Sequence, residues 1–284
     1  MARFKIGVMV DSFRIPIPEG VRKAREIGAE GLQVYTARGE MAPEKLDKAA
    51  RQAFRALVES NGLAISALCG DLGGCGFMLA NENEDKITRS KAIVDLAVEL
   101  GTNVVTTHIG HVPENNDSPY YQNELLVCRT LGEYAEKHGV TFAIETGPET
   151  SERLASFLKD VGSAGIGVNL DPANLVMVQN ENPVEAVNNL APFIVHTHAK
   201  DGVHYQDFNP AMVYGAPGEK PVDPVEWSKY FREVPLGDGS VPWDAYLDAL
   251  AAHGFHGFLT VERECGANPE TDIRKAVDFL RERV

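Results

Sequence analysis

Five short segments of the chain alternate apolar residues with small or polar ones, which is the pattern of strands buried between helices and a crowded interior. In GVNLDPANL, for example, Val168 and Leu170 share one side of the strand while Asn169 and Asp171 share the other. In all, strands are predicted to begin near residues 4, 31, 64, 103, 140, 166, 194 and 257, each followed by a helical pattern. This repeat predicts an α/β fold, a (β/α)8 TIM barrel that forms a single domain over residues 1–284.

Helix start and stop signals agree with this count. A helix after the first strand is predicted to stop at Gly28, and Asn182 and Asn268 each stand as a capping residue before a proline that would open a helix. The intervals between strands are similar except for the last, which is much longer. We therefore expect a long loop insertion at about 202–242, after the seventh strand, that covers the carboxyl end of the barrel.

Ionisable side chains end five of the predicted strands on the inward side. Glu145, Asp171, His198 and Glu262 end the fifth to eighth strands, and His108 ends the fourth. The active sites of TIM barrels lie at this carboxyl end, so the five groups are predicted to meet there. A single acid could instead cap a helix or form an ion pair, but four groups in the same register favour a site.

Carboxylates gathered this closely would repel one another unless a cation lay between them. Three carboxylates and one imidazole form a mostly hard ligand set. We therefore predict that Glu145, Asp171, His198 and Glu262 bind one divalent metal ion, with Mn²⁺ preferred and Mg²⁺, Co²⁺ or Zn²⁺ as alternatives.

The motifs FAIETG, VNLDPANL, VHTHAKD and PLGDGSVPWDAYLDALAAHGFHGFLTVERE resemble the xylose isomerase-like barrel family, which contains sugar isomerases and epimerases. The resemblance covers most of the chain and is strongest from about residue 140 to 264. Similarity to the ketose 3-epimerase branch implies that the same four residues hold the metal. It also implies that Glu145 and Glu262 are the catalytic acid–base pair, working on opposite faces of the carbon next to a carbonyl.

The function implied is a metal-dependent isomerase or epimerase of a carbohydrate, in which the metal stabilises an enediolate. One alternative is a lyase or dehydratase that uses the same site on a keto-sugar, keto-inositol or keto-glycoside. A second is a non-catalytic sugar-binding barrel. An endonuclease IV-type enzyme is disfavoured, because Asn174 stands where that family and the epimerases place a histidine.

Further side chains near the mouth are predicted to contact the substrate. They are His108, Asn174, Lys200, Asp201 and His204. Lys200 and Asp201 could instead pair with each other. His196 is expected to be a hydrogen-bonded core histidine, and Arg263 is expected to face outward and form a salt bridge to a helix.

The composition of the chain limits the classes of molecule that it is expected to bind. The 284 residues carry a net charge of −14 with 44% hydrophobic residues, which fits a small-molecule enzyme and disfavours nucleic acid. No segment has the apolar length of a membrane span, and the N-terminus lacks the layout of a signal peptide, so a cytoplasmic location is expected. A homo-oligomer is left open. The four cysteines fit no metal or redox motif and are expected to be free thiols.

Overall fold

A computed structural model of the chain describes residues 3–217 and 224–284 and shows a closed barrel of eight parallel strands. The observed strands begin within one residue of the predicted positions, so the predicted TIM barrel is confirmed. The eighth barrel strand is the tenth strand in chain order, because two strands that follow the seventh form a separate sheet. The barrel strands are β1 (Lys5–Met9), β2 (Gly31–Tyr35), β3 (Ala64–Cys69), β4 (Val104–Thr107), β5 (Thr141–Glu145), β6 (Ile166–Leu170), β7 (Ile194–Ala199) and β10 (Phe258–Val261).

Helices surround the barrel and join its strands. They are α1 (Ile17–Glu26), α2 (Lys48–Ser60), α3 (Ala80–Leu100), α4 (Pro119–Lys137), α5 (Ser151–Val161), α6 (Pro172–Asn174), α7 (Pro183–Leu190), α8 (Ala211–Tyr214), α9 (Pro224–Trp227), α10 (Trp243–Ala252) and α11 (Pro269–Arg281). A single π-helical turn, Leu175–Gln179, continues directly from α6. Across the described residues, none of the helices combines the length and apolarity needed to cross a membrane.

Because side chains alternate along each strand, the protein has an apolar layer between strands and helices and a polar centre inside the barrel. Apolar residues on the outer faces of the strands, such as Leu32 and Val168, are fully buried against the helices. The inner faces carry polar residues that are also fully buried, including Gln33, Thr106 and Asn169. Because a buried polar group is costly without a partner, these residues pair with one another across the barrel. The interior is therefore a hydrogen-bond network that lies beneath the carboxyl ends of the strands.

Of the two capping asparagines predicted at helix starts, one caps its helix and the other does not. The Asn182 side chain accepts a hydrogen bond from the Val184 amide and caps α7, as predicted. The prediction for Asn268 is wrong: its side chain makes no capping bond, and its backbone (φ −127°, ψ 68°) lies outside the extended conformation typical of a cap. Pro269 nevertheless opens α11, since its missing N–H is one that a helix start leaves unpaired.

The segment between β7 and α10 contains structure that its sequence pattern does not predict. Strands β8 (Asp201–His204) and β9 (Phe231–Val234) pair antiparallel, with Asp201 opposite Val234 and His204 opposite Phe231. The predicted insertion over 202–242 includes residues 218–223, which lie outside the described residues. We call the described residues 201–217 and 224–242 the insertion.

All four cysteines are free, as expected. Cys69 and Cys128 are buried, and burial raises the pKa of both thiols well above the ordinary value. They are therefore unreactive packing residues.

Candidate metal centre at the mouth of the barrel

Four side chains converge at the carboxyl end of the barrel. Glu145, Asp171, His198 and Glu262 each offer one ligand atom, and these atoms all lie within 4.8 Å of one another. Their side chains are between 0% and 12% exposed. The four residues that the sequence predicts as metal ligands, each on the inward side at the end of a strand, therefore lie together in the structure.

Asp171 follows β6 directly, and its two oxygens make different contacts. Oδ1 accepts hydrogen bonds from the amides of Ala173 (2.8 Å) and Asn174 (3.0 Å) and so caps the short helix α6. Oδ2 is buried, lacks a hydrogen-bond partner among the described residues, and lies 3.5 Å from His198 Nδ1. The cap fixes the rotation of the carboxylate, so one oxygen is held toward the centre.

His198 presents Nδ1 to the three carboxylates. Nδ1 lies 3.4 Å from Glu145 Oε1, 3.5 Å from Asp171 Oδ2 and 3.3 Å from Glu262 Oε2. On the other side of the ring, Nε2–H donates to Gln33 Oε1 at 3.0 Å, and Gln33 Nε2 donates in turn to Thr106 Oγ1 at 2.8 Å. Because Nε2 keeps its proton in the hydrogen bond to Gln33, Nδ1 is the nitrogen that would lose its proton and offer a lone pair to a cation.

Two asparagines orient Glu145. Asn169 Nδ2 donates to Oε2 at 3.1 Å, and Asn174 Nδ2 donates to Oε1 at 3.0 Å. Asn169 also accepts from His196 Nδ1 at 2.9 Å, and His196 Nε2 accepts from Thr260 at 3.0 Å. His196 is therefore the hydrogen-bonded core histidine that the sequence predicts, and burial lowers its pKa well below the usual value.

Lys200 lies on the other side of the site, beside Glu262. Its Nζ is 2.8 Å from Glu262 Oε2, 2.8 Å from Glu264 Oε2 and 3.1 Å from Asp171 Oδ2. Lys200 thus pairs with these carboxylates and not with Asp201. Burial alone would raise the pKa of Glu262, but the charges of His198 and Lys200 outweigh burial and hold that pKa well below its usual range.

The remaining predicted substrate contacts occupy different positions. His108 Nε2 lies 3.7 Å from Glu145 Oε1, and its ring packs against Tyr214 with centroids 5.2 Å apart. His204 is held away from the metal ligands, with Nδ1 2.9 Å from the Met177 carbonyl and Nε2 3.1 Å from Asp207.

Asp201 lies inside the insertion and not at the mouth. Oδ1 accepts from the amides of Gly202 (2.9 Å) and Val241 (3.2 Å), and Oδ2 accepts from the amide of Gly237 and the Trp243 indole, both at 2.9 Å. Because four donors already fill its two oxygens, Asp201 holds the insertion together and has no lone pair left for a substrate. The expected substrate contact is therefore replaced by an anchoring role.

Several residues around the site are absent from the sequence-based prediction. Gln33 shares the inward parity of β2, so its position could have been found from the pattern. Glu264 and Tyr214 lie beyond regular strands, and nothing in the local pattern indicates that either one approaches the site. Arg263 faces outward, as predicted, and binds Glu233 and Asp272 of α11.

The residues present fit a divalent cation. Asp171 Oδ2 is buried, makes no hydrogen bond among the described residues and lies 3.1 Å from the Lys200 ammonium, and His198 Nδ1 and two further carboxylates face the same point. Against burial, these carboxylates raise the pKa of His198 well above its usual value, so a cation would bind in exchange for the Nδ1 proton. Three oxygen ligands and one imidazole suit Mn²⁺, Mg²⁺ or Zn²⁺ better than a soft metal. A TIM barrel with one candidate divalent-metal site at the carboxyl ends of β5, β6, β7 and β10 defines the class of this protein.

Comparison with known proteins places the chain within that class. The family described as xylose isomerase-like TIM barrel matches residues 21–283, and the chain belongs to this family. Among curated proteins, an inosose dehydratase of Clostridium botulinum is 27% identical over 184 residues, which is 59% of this chain and 58% of that protein. An uncharacterised protein of Methanocaldococcus jannaschii is 24% identical over 197 residues, 65% of this chain and 59% of that protein. The chain therefore aligns with somewhat under two thirds of these relatives' length.

Solved structures share the whole barrel. A xylose isomerase domain protein from Planctomyces limnophilus superposes with a TM-score of 0.77 at 26% identity, covering 98% of this chain and 96% of that one. A probable 3-DHS dehydratase from Bacillus anthracis gives 0.76 at 22% identity, covering 99% and 100%. A D-psicose 3-epimerase gives 0.72 at 15% identity, covering 99% of each. Proteins that share this fold thus carry the names of both epimerases and dehydratases.

Proposed function

We propose that the protein is a divalent-metal-dependent enzyme that removes a proton from the carbon next to a carbonyl of a small carbohydrate. The observation that carries the proposal is the convergence of two glutamates, an aspartate and a histidine within 4.8 Å, with each glutamate held by its own set of hydrogen-bonding or charged neighbours. A site that only binds a sugar has no need of two such bases.

Glu145, Asp171, His198 and Glu262 would hold the metal, and we propose Mn²⁺. When bound, a divalent cation supplies positive charge beside the carbonyl group of the substrate and offsets the three carboxylates. Asn169 and Asn174 orient Glu145 so that its carboxylate can accept the proton. Lys200 fixes Glu262, which can hold or return a proton on the other face.

The step that follows proton removal distinguishes two activities. In an isomerase or epimerase, the C–H bond broken on one face is replaced by a new one, either on the opposite face or on the neighbouring carbon. In a dehydratase, the electrons of the broken C–H bond form a C=C bond, a neighbouring C–O bond breaks, and the hydroxyl leaves with a proton as water. Glu145 and Glu262 serve the first proton transfer in either reaction.

One observation favours elimination as the second candidate. A curated relative, from Clostridium botulinum, is named an inosose dehydratase. A small carbohydrate as substrate is common to both candidates. A cytoplasmic location stays a prediction.

Proton NMR in D₂O tests the proposal. Mn²⁺-loaded protein is mixed with a panel of ketohexoses and keto-inositols, and a chelator-treated sample is the control. We expect deuterium to enter next to the carbonyl only in the presence of metal. Glu145→Gln and Glu262→Gln should each lower the exchange rate by roughly a hundred- to ten-thousand-fold. Inverted or isomerised product identifies the first candidate, and an unsaturated product the second. Binding without exchange for every compound contradicts both.

A further inference from the structure

The short helix α8 carries a tyrosine over the mouth of the barrel. The Tyr214 ring packs on His108, which follows β4, with the ring planes 56° apart. Its hydroxyl lies against Gly147, beyond β5, at the place where a Cβ on that glycine would stand. Gly147 has φ +153°, so the backbone there also favours glycine. Tyr214, a residue of the insertion, therefore contacts the barrel at the ends of β4 and β5.

The next residue, Gly215, lies beside the loop that follows β3. A Cβ built on Gly215 would lie 3.6 Å from Cys75 Sγ and 3.9 Å from the Gly74 carbonyl, both in the glycine-rich loop after β3. Strands β7 and β3 stand four positions apart in the eight-stranded ring. The insertion that starts after β7 thus crosses the mouth, and its segment 211–215 lies over the ends of β3, β4 and β5.

Apolar packing holds this segment against the site. Ala173, Met177 and Val178, which follow the metal-facing Asp171, form a buried cluster, and Tyr214 packs on this cluster together with Phe208 and Phe231. Burial raises the pKa of the Tyr214 phenol well above its usual value. Charges of the site also change this pKa: Lys200 lowers it, and Glu145 and Asp171 raise it. Tyr214 therefore forms a wall of the chamber that contains the four ligating groups.

The covered mouth restricts access. The four ligating side chains are at most 12% exposed in this conformation. Segment 211–215 lies over these groups and is joined to the barrel through the insertion, so it is placed to uncover them for a hydroxylated ketone of several carbons. Closure over the substrate would also exclude water from the site.

We propose that Tyr214 is the substrate-contacting residue that determines specificity, and that segment 211–215 moves off the mouth to admit the substrate. This inference rests on the proposed function for the nature of the substrate. The aromatic face of Tyr214 would pack on the C–H face of a small polyol ketone, and its hydroxyl would hydrogen-bond a substrate hydroxyl. His108 supports the other face of the tyrosine ring.

Substitutions at position 214 test the contact. Tyr214→Ala removes the ring and Tyr214→Phe removes only the hydroxyl, while Tyr205→Ala, at a tyrosine of the insertion that is 52% exposed, is the matched control. We expect Tyr214→Ala to lower kcat/KM by about 10- to 200-fold and to change the ratio of kcat/KM between ketones of different size. Tyr205→Ala should change neither quantity. An unchanged ratio in Tyr214→Ala would overturn the assignment.

A cross-link tests the movement. In Gly215→Cys, the new thiol would stand beside Cys75, and diamide would remove two hydrogens from the two thiols to form one disulfide. The readout is the rate at which EDTA removes Mn²⁺ from the protein. We expect at least tenfold slower removal in the oxidised protein, with full recovery after reduction. Equal rates before and after cross-linking would show that the segment does not control access.

Two control variants distinguish the effect of the cross-link from the effect of replacing Gly215. Gly215→Ser measures the strain of replacing a glycine at φ +76°, and Gly215→Cys with Cys75→Ser cannot form the cross-link. If the wild type shows no metal-dependent exchange with any carbohydrate, the proposed function fails, whereas the metal-release experiment still tests the movement of 211–215. The two proposals can therefore fail independently.

Discussion

At the scale of single residues, hydrogen bonds orient the side chains of the candidate metal site. One oxygen of Asp171 caps α6 while the other faces the centre, and Nε2 of His198 binds Gln33 while Nδ1 faces the centre. Such outer contacts commonly contribute 10- to 100-fold to metal affinity.

We expect Gln33→Met to weaken Mn²⁺ binding by roughly 10- to 100-fold, because Nε2 of His198 loses its acceptor and the ring loses its fixed tautomer. Isothermal titration calorimetry on metal-free protein measures the change. Gln122→Met, at an exposed position of α4, is the matched control and should leave the affinity unaltered. If both variants bind Mn²⁺ as wild type does, Gln33 has no role in orienting the ligand.

A second residue-scale feature lies beside the mouth, where Glu149 is buried. Its Oε2 accepts from the Val112 amide at 3.1 Å, and its Oε1 has no partner among the described residues. Burial raises the pKa of Glu149 to about 8, against the opposing effects of the Val112 amide hydrogen bond and of the charges of His108 and Arg153. The folded protein therefore holds this proton more tightly than the unfolded chain does.

A raised carboxyl pKa makes stability fall as pH rises. The contribution of Glu149 is complete below its unfolded pKa and is lost as pH climbs through about 8, because ionisation then opposes burial. We expect Glu149→Gln, which stays neutral, to lose less thermal stability than wild type between about pH 6 and pH 9. Thermal melts across this range give the comparison, with Glu152→Gln at an exposed position as control. Parallel pH profiles for wild type and Glu149→Gln would refute the assignment.

At the scale of elements, the insertion is organised by a single carboxylate. Asp201 opens β8 and accepts hydrogen bonds from three amides and one indole that belong to both ends of the insertion. Gly239 leaves room for it, since a Cβ there would collide with Oδ1. Removing these acceptors would leave several buried donors unpaired.

We expect Asp201→Asn to destabilise the insertion by about 1–3 kcal/mol, because one acceptor oxygen becomes a donor that faces existing N–H groups. Hydrogen exchange should become faster in β8, β9 and residues 237–241, while the barrel strands keep their protection. Asp207→Asn, whose side chain is 95% exposed, is the control for a change of charge in the same segment. If Asp201→Asn and Asp207→Asn both exchange hydrogen in the insertion at the wild-type rate, Asp201 does not anchor this segment.

The same elements show what a sequence can and cannot predict. The barrel strands and the convergence of the four candidate metal-site residues could be predicted, because side-chain parity is local and parallel strands bring their carboxyl ends together. The β8–β9 sheet could not be, since each strand has four residues and its position depends on distant contacts with Met177 and Trp243. The approach of Tyr214 to the site follows from that packing and has no local signal.

At the scale of the whole molecule, the barrel concentrates charge in its interior. Glu145, Asp171 and Glu262 are held together in a protein whose net charge is already −14, with Lys200 as the buried lysine among them. A bound divalent cation would offset charge that burial otherwise leaves costly. Metal binding should therefore be linked to folding.

We expect Mn²⁺ to raise the melting temperature of the chelator-treated protein by several degrees, because a ligand present at a hundred times its Kd stabilises the folded state by about 2.7 kcal/mol. Differential scanning calorimetry with and without Mn²⁺ measures this shift. Asp171→Asn should greatly reduce the shift, since the neutral amide is a poor ligand for the cation. A full shift in that variant would mean that the metal binds elsewhere.

The hydrogen bond between Asp201 and Trp243 has a consequence for how such barrels can change. It ties the first residue of the insertion to the residue just beyond its end, at 2.9 Å. A segment whose two ends are already joined can grow, shrink or be exchanged with little change in the span it must close. We expect the insertion to behave as a replaceable cassette, so that substrate choice could be redesigned by transplanting this one segment while the chemistry below it stays in place.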